Sequence, residues 1–263
     1  MNVYPFLEAV REKRPLVHHL TNWVTIYDCA QVVKSFGASP VMAHSPDEVA
    51  DMASLASALV LNIGTLTSDF IESMKIAALA ANKNRIPAVL DVCGAGATAF
   101  RDKKSLEILD AARIDIIKGN SSEIARVAGL DVKTRGVDAT DVEADLREVA
   151  SSLAKKRNCI VVITGKVDFV VDANTVYIVQ NGDEMMSHVV GTGCMAASVI
   201  GTFVGASPGS QIAATAAGLS CFEIAAEMAV KKCSGPASFK ERLLDCIFNL
   251  KKEDVISMQK VIP

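Results

Sequence analysis

The sequence predicts an α/β fold: one domain built on a mostly parallel central sheet with helices on both faces. Three observations carry that expectation. Apolar runs of strand length alternate with stretches of helical period along most of the chain. Several of those runs are continuously apolar and rich in Val, Ile and Leu, as strands buried on both faces are. The last part of the chain is helical in pattern, and no internal repeat, low-complexity tract or Pro/Gly/Ser-rich linker marks a domain boundary.

Short strands are expected at 15–20 and 40–43, with a helix over 24–36 between them and Gly37 as its stop. Ser45-Pro46-Asp47-Glu48 reads as a capping box with Pro in the first turn, opening a helix to about residue 57. The run 58–63 (ALVLNI) predicts a doubly buried strand. A helix over 68–82, a strand over 87–92, a helix over 105–112 and a strand over 114–118 follow. A helix over 120–128 stops at Gly129, a charged amphipathic helix covers 142–156, and a strand covers 159–164. Residues 169–172 and 175–180, separated by Ala173-Asn174, predict a hairpin. Helices over 193–205, 210–232 and 238–250 complete the chain.

Composition excludes several function classes. The 263 residues carry 27 basic and 30 acidic side chains, a net charge of −3, with no basic patch to hold nucleic acid or an anionic membrane. Aromatic residues are 5% of the chain, with one Trp, which argues against a stacking platform for single strands. Seven scattered cysteines without a CxxC pair suit reduced thiols. Glu8 and Glu12 interrupt the N-terminus, so no signal peptide is expected. The most apolar stretch, 189–206, is short for a bilayer and broken by four glycines, and is expected to be a buried core helix. A soluble, cytoplasmic protein is the resulting expectation.

Ligands of open α/β sheets sit beyond the carboxyl ends of the strands, and three such ends are chemically unusual. Asp91 closes one strand and runs into Gly94-Ala95-Gly96-Ala97-Thr98; Lys118 closes the next, before Gly119-Asn120-Ser121-Ser122-Glu123; Gly191-Thr192-Gly193-Cys194 opens a long apolar helix. Glycines ahead of a helix let its free N–H groups approach phosphate oxygens, and Mg²⁺ needs only one or two carboxylates beside phosphate and water. Together they suggest a nucleotide with a divalent cation. Each piece also has an ordinary structural alternative. Asp91 could be a solvated strand-end acid, Glu123 a helix cap for Asn120, Lys118 a snorkelling side chain and Cys194 a small core residue. His18, His19, His44 and His188 lack metal-ligand spacing. A Walker motif is absent, and the loose GxGxxA matches at Gly94 and Gly191 lack the strand-end acid that a dinucleotide site requires.

Longer strings carry a family resemblance. Leu20-Thr21-Asn22-Trp23-Val24, Gly37-Ala38-Ser39-Pro40-Val41-Met42-Ala43-His44, Leu59-Val60-Leu61-Asn62-Ile63-Gly64-Thr65-Leu66 and Gly235-Pro236-Ala237-Ser238-Phe239, with the three strand-end motifs between them, resemble the hydroxyethylthiazole kinases of thiamine salvage, within the ribokinase-like kinases. The resemblance implies ATP-dependent phosphorylation of the primary hydroxyl of 4-methyl-5-(2-hydroxyethyl)thiazole. It implies that Met42 and Gly191 contact the thiazole with Asn22 nearby, that Lys118 and Thr164 contact ATP, and that Asp91 and Glu123 serve Mg²⁺. It further implies a homotrimer with sites at subunit interfaces. Cys194 stands where many ribokinase-like enzymes carry an Asp base, and the Gly193 turn would stabilise the transferring phosphoryl. Thiolate base and hydrogen-bond partner both remain open for Cys194. Departures are Val92-Cys93 where the family usually has Pro-Val, Lys118 where Arg is common, and Asp28 where Asn is usual. Lys keeps the charge of Arg and loses its fork, and Cys93 is expected to replace Val with little consequence. The alternatives are a kinase of another small heterocyclic alcohol, of the hydroxymethylpyrimidine or pyridoxal type, and a non-catalytic nucleotide-binding regulator.

Overall fold

A computed structural model describes residues 1–130 and 139–263, the side chains of 139–145 excepted. Among the described residues, nine strands form one sheet. β1 (Leu16–Leu20), β2 (Ser39–Val41), β3 (Ala58–Asn62), β4 (Ala88–Asp91), β5 (Ile116–Asn120) and β6 (Ile160–Thr164) run parallel in the order β2-β1-β3-β4-β5-β6. β7 (Asp168–Val171), β8 (Val176–Val179) and β9 (Val261–Ile262) extend it antiparallel. The expected hairpin is β7–β8.

The apolar runs are buried on both faces because the sheet divides two cores. Val60, Val89, Ile116 and Ile160, aligned across four strands, face the core that holds α8 (Thr192–Ala206), α9 (Gln211–Val230) and α10 (Pro236–Asn249), with α1 (Tyr4–Lys13) and α2 (Ile26–Ser35). Leu61, Leu90, Ile117 and Val161, the next aligned row, face α4 (Ser68–Lys83), α6 (Ser121–Val127) and α7 (Ala139–Arg157). Successive residues of a strand point to opposite faces, so the row after that returns to the α8 side. Residues Pro208–Val230 are long and apolar enough to cross a bilayer, but 78% of the most apolar 18 residues among them are buried inside the protein.

Some boundaries differ from expectation. α3 (Val49–Leu55) starts after Glu48 with no side-chain cap. The Ser45 capping box does not form: the Ser45 carbonyl accepts the amides of Glu48 and Val49, and this turn delays the helix. α5 (Ala99–Ala111) begins six residues before the expected 105, because Thr98 Oγ1 caps it by accepting the Arg101 amide. β5 extends to Asn120. α1 has no counterpart among the expected elements, although Leu7 and Val10 are buried on its inner face. α11 (Lys252–Met258) and β9 have none either, and both are short.

Candidate active site at the carboxyl ends of the strands

Strand register brings three polar residues into one row. Asn62 and Asp91, at the ends of β3 and β4, and Lys118, in the middle of β5, are direct neighbours, on the α8 side of the sheet. Asp91 is 1% exposed and Lys118 4%. Asn62 Nδ2 donates to Asp91 Oδ2 at 2.8 Å, and Lys118 Nζ reaches the same oxygen at 3.3 Å. Asp91 Oδ1 is buried and has no partner among the described residues. Burial pushes the Asp91 carboxyl up, to about 7, against the pull of Lys118. Burial also works against the Lys118 charge, but Asp91 and Glu123 outweigh it, so the ammonium is held.

The N-terminus of α8 meets this row. Gly191 caps the helix at φ +101°, where a Cβ would lie 2.8 Å from Thr25 Cγ2, so the turn requires glycine both for its backbone and for its neighbour. No side chain caps the helix. Its first bond back runs from the Met195 amide to the Gly191 carbonyl at 2.7 Å. The amides of Thr192, Gly193 and Cys194 are therefore first-turn N–H groups without a helical partner, at the positive end of a 15-residue helix. Lys118 Nζ donates to the Gly193 carbonyl at 3.0 Å, which ties β5 to this helix start.

Cys194 is ringed by donors. Asn22 Nδ2 reaches its sulfur at 3.2 Å and Asn62 Nδ2 at 3.4 Å. Asn22 is held in turn by Thr25, whose amide and hydroxyl donate to Asn22 Oδ1 at 3.1 and 3.0 Å. The neighbouring Cys93 thiol is the largest influence on Cys194; burial opposes, and Thr25, Lys118 and Asn22 add to the stabilisation of the thiolate. The net effect lowers Cys194 to about 5. The same contact, with burial, raises Cys93. Cys93 is thus no passive replacement for a valine, because it supplies a donor that valine lacks.

The remaining residues fall around this group. Both Glu123 oxygens are taken: Oε1 accepts the Gly94 amide and Oε2 the Asn120 amide, each at 2.7 Å. With Asn120 Oδ1 accepting the Glu123 amide, the capping box of α6 is complete. Thr164 ends β6 opposite Asn120, and its hydroxyl reaches the Gly119 carbonyl at 3.4 Å. Met42 follows the edge strand β2, half-buried. Asp28 is engaged elsewhere, by Lys240 at 3.0 Å.

Sequence reasoning missed four participants. Asn62 could have been found, since it closes an apolar strand as Asp91 and Lys118 do. Thr25, Cys93 and Arg101 had no such signal. Arg101 holds the carbonyls of Ile63, Gly64 and Cys93, at 3.0, 2.8 and 3.0 Å, and so joins the ends of β3 and β4.

This geometry can hold an anion at the helix start, a cation at Asp91 and a hydroxyl at Cys194. The model of the hydroxyethylthiazole kinase family matches residues 7–253. A hydroxyethylthiazole kinase of Methanosarcina mazei is 54% identical, with 97% of each chain covered. The solved structure of a hydroxyethylthiazole kinase protein from Pyrococcus horikoshii OT3 superposes with a TM-score of 0.91 at 39% identity, covering 99% of this chain and 98% of that one. A ribokinase-like superfamily protein from Enterococcus faecalis V583, 12% identical, shares the fold with a TM-score of 0.65 over 94% of this chain and 95% of its own.

Proposed function

The chain belongs to the hydroxyethylthiazole kinase family, and we propose that it transfers the γ-phosphoryl group of ATP to the primary hydroxyl of 4-methyl-5-(2-hydroxyethyl)thiazole, in thiamine salvage. One observation carries the reading: the uncapped start of α8 sets open backbone amides beside Cys194, with the Lys118 ammonium 3.0 Å from the Gly193 carbonyl. Phosphoryl transfer depends chiefly on positioning and charge stabilisation, which such amides and a buried cation supply.

The roles are those the family resemblance implies. Lys118 and Thr164 bind ATP, and the Gly193 turn stabilises the transferring phosphoryl. Gly191, Asn22 and Met42 bind the thiazole. Cys194, held as a thiolate by its donors, accepts the hydrogen bond of the substrate hydroxyl and orients it toward the phosphorus. The buried Asp91 Oδ1, lacking a partner among the described residues, suits a divalent cation. Asp91 would hold Mg²⁺, with Glu123 fixing the Gly94 and Asn120 amides beside it. When bound, Mg²⁺ neutralises charge on the phosphates.

A cytoplasmic homotrimer, with the thiazole site at the subunit boundary, accounts for the apolar rim of the site. Tyr27 and Val190 are 71% and 72% exposed, more than single-chain function requires of large apolar side chains so close to Gly191. The test is ADP release with ATP, Mg²⁺ and hydroxyethylthiazole, with hydroxymethylpyrimidine and pyridoxal as competing acceptors. Turnover on the thiazole is expected, and turnover on either comparator alone overturns the reading.

A further inference from the structure

Two carboxyl groups are in contact inside the protein, and the roles assigned above use neither. Asp168 opens β7 and is 4% exposed; Glu223, in the middle of α9, is 6% exposed. Each carboxyl bears on the other's ionisation at hydrogen-bonding range, and a bond between two acids requires a proton on one of them. Glu223 Oε2 is buried and meets no donor among the described residues. Its helical neighbour Glu227 is in the opposite situation. Glu227 Oε1 accepts Asn181 Nδ2, the Gly182 amide and Lys260 Nζ, at 3.0, 3.1 and 3.0 Å. One turn of α9 thus carries a compensated glutamate and an uncompensated one, the latter facing Gly182, where a Cβ would lie 3.6 Å from its Cγ.

The proton belongs on Glu223. Burial raises Asp168 as well, but it accepts the Gly165 amide at 2.9 Å through Oδ1 and feels the Lys118 charge, both of which favour its ionised form. Burial and the neighbouring Asp168 charge raise Glu223 well above the carboxylate range. The chain of contacts is then directional: the Glu223 acid donates to Asp168, and the Asp168 carboxylate accepts from Gly165.

Gly165 is the first residue of the turn between β6 and β7, directly after Thr164. A Cβ there would meet only the Val167 carbonyl, at 3.7 Å, so nothing steric restrains this glycine. Thr164 has one long tie of its own, 3.4 Å to the Gly119 carbonyl. We propose that Asp168, buttressed by the Glu223 acid, is a positioning residue for ATP: it clamps the Gly165 amide and thereby fixes the Thr164 hydroxyl at the carboxyl end of β6. The inference rests on the assignment of Thr164 to ATP. It links the nucleotide end of the sheet to the core helix α9, which the thiazole end does not touch through these residues.

The test is steady-state kinetics with each substrate varied, beside thermal melting. Asp168→Ala should raise the KM for ATP about tenfold or more, the loss expected for one charged hydrogen bond, with kcat and the thiazole KM within about twofold of the parent. Asp168→Asn keeps an acceptor for Gly165 and a group for Glu223, and should restore the ATP KM. Glu223→Gln should behave as the parent, since its amide N–H donates where the acid does. If Asp168→Ala does not fold, Glu223→Met carries the same test from the other partner, with a raised ATP KM expected. An unchanged ATP KM in the folded variant, an equal loss in all three parameters, or an Asp168→Asn as defective as Asp168→Ala overturns the proposal. Thr164→Ala separates the two levels. An unchanged ATP KM there removes the nucleotide assignment itself. A raised one, beside an unaffected Asp168→Ala, removes only Asp168.

Discussion

The protein has two glycine-rich turns at the carboxyl ends of its strands, and they differ in what their amides do. In residues 94–97 each amide already has an acceptor: Glu123 for Gly94, the Val92 carbonyl for Ala95, Asp102 for Gly96 and the Gly94 carbonyl for Ala97. Thr98 then caps the helix that follows. At 191–194 the helix begins without any capping side chain, and its first bond back involves Met195. Both turns contain left-handed glycines: φ is +79° at Gly94, +91° at Gly96 and +101° at Gly191. Glycine therefore marks where the backbone must bend. Whether a turn can receive an anion depends on whether the protein has already filled its amides.

The largest expected effect breaks the open turn. Gly191→Ala puts a Cβ 2.8 Å from Thr25 Cγ2 in a left-handed conformation, displacing the start of α8. We expect kcat to fall about a hundredfold, roughly 2.7 kcal/mol of transition-state stabilisation. Gly96→Ala in the filled turn meets the Arg126 side chain at ordinary contact distance, Cγ at 3.5 Å and Cβ at 3.6 Å. It should cost about 1 kcal/mol of stability from backbone strain and leave kcat nearly unchanged. Equal kinetic damage from the two substitutions would erase the distinction between the turns.

Next in size is the carboxylate pair that separates them. Asp91→Ala should lower kcat at least tenfold, about 1.4 kcal/mol, and lower the melting temperature too, because it leaves the buried Lys118 without its partner. Glu123→Ala should lower kcat comparably and melt earlier as well, because it releases the Gly94 and Asn120 amides together; the cap alone is worth about 1 kcal/mol. A Glu123→Ala that keeps the parent melting temperature would show that the closed turn holds without it.

The third test reads the field at the open turn through Cys194. Its thiol is lowered to about 5. An acid whose folded value is depressed stays ionised above that value, so the stability it contributes is lost as pH falls through about 5. In metal-free protein the alkylation rate of Cys194 should be flat from neutral pH down to about 6 and fall below 5. Cys221, fully buried in α9 and raised by burial, should not react in the folded state. A Cys194 rate still rising above pH 8 would refute the depressed value.

The smallest change is expected from Cys194→Asp. A carboxylate there inherits the donors Asn22 and Asn62 and lies near the Lys118 charge, so the variant should fold and match or exceed the parent kcat. An unpaired buried Asp would instead destabilise the protein by several kcal/mol. Collapse of melting temperature and activity together would assign Cys194 to the core.

Local pattern encodes the elements and the edge of the sheet at which the site forms. Continuous apolar runs specified strands buried on two faces, and polar residues closing those runs, Asp91 and Lys118, marked the functional edge. Asn62 obeyed the same rule. The motif strings carried the family, and the Asn120–Glu123 spacing carried the capping box, because a cap links residues three apart. Only the tertiary structure decided which turn stays open, since the Glu123 that fills the Gly94 amide lies 29 residues away. It also decided the state of Cys194, whose donors Asn22 and Asn62 are 172 and 132 residues distant. The Asp168–Glu223 contact joins a strand to a helix more than one element later. Periodicity reports which face of an element is buried. Hydrogen-bond partners and the loss of water around a charge depend on elements brought together across the sheet, and no short-range pattern encodes that.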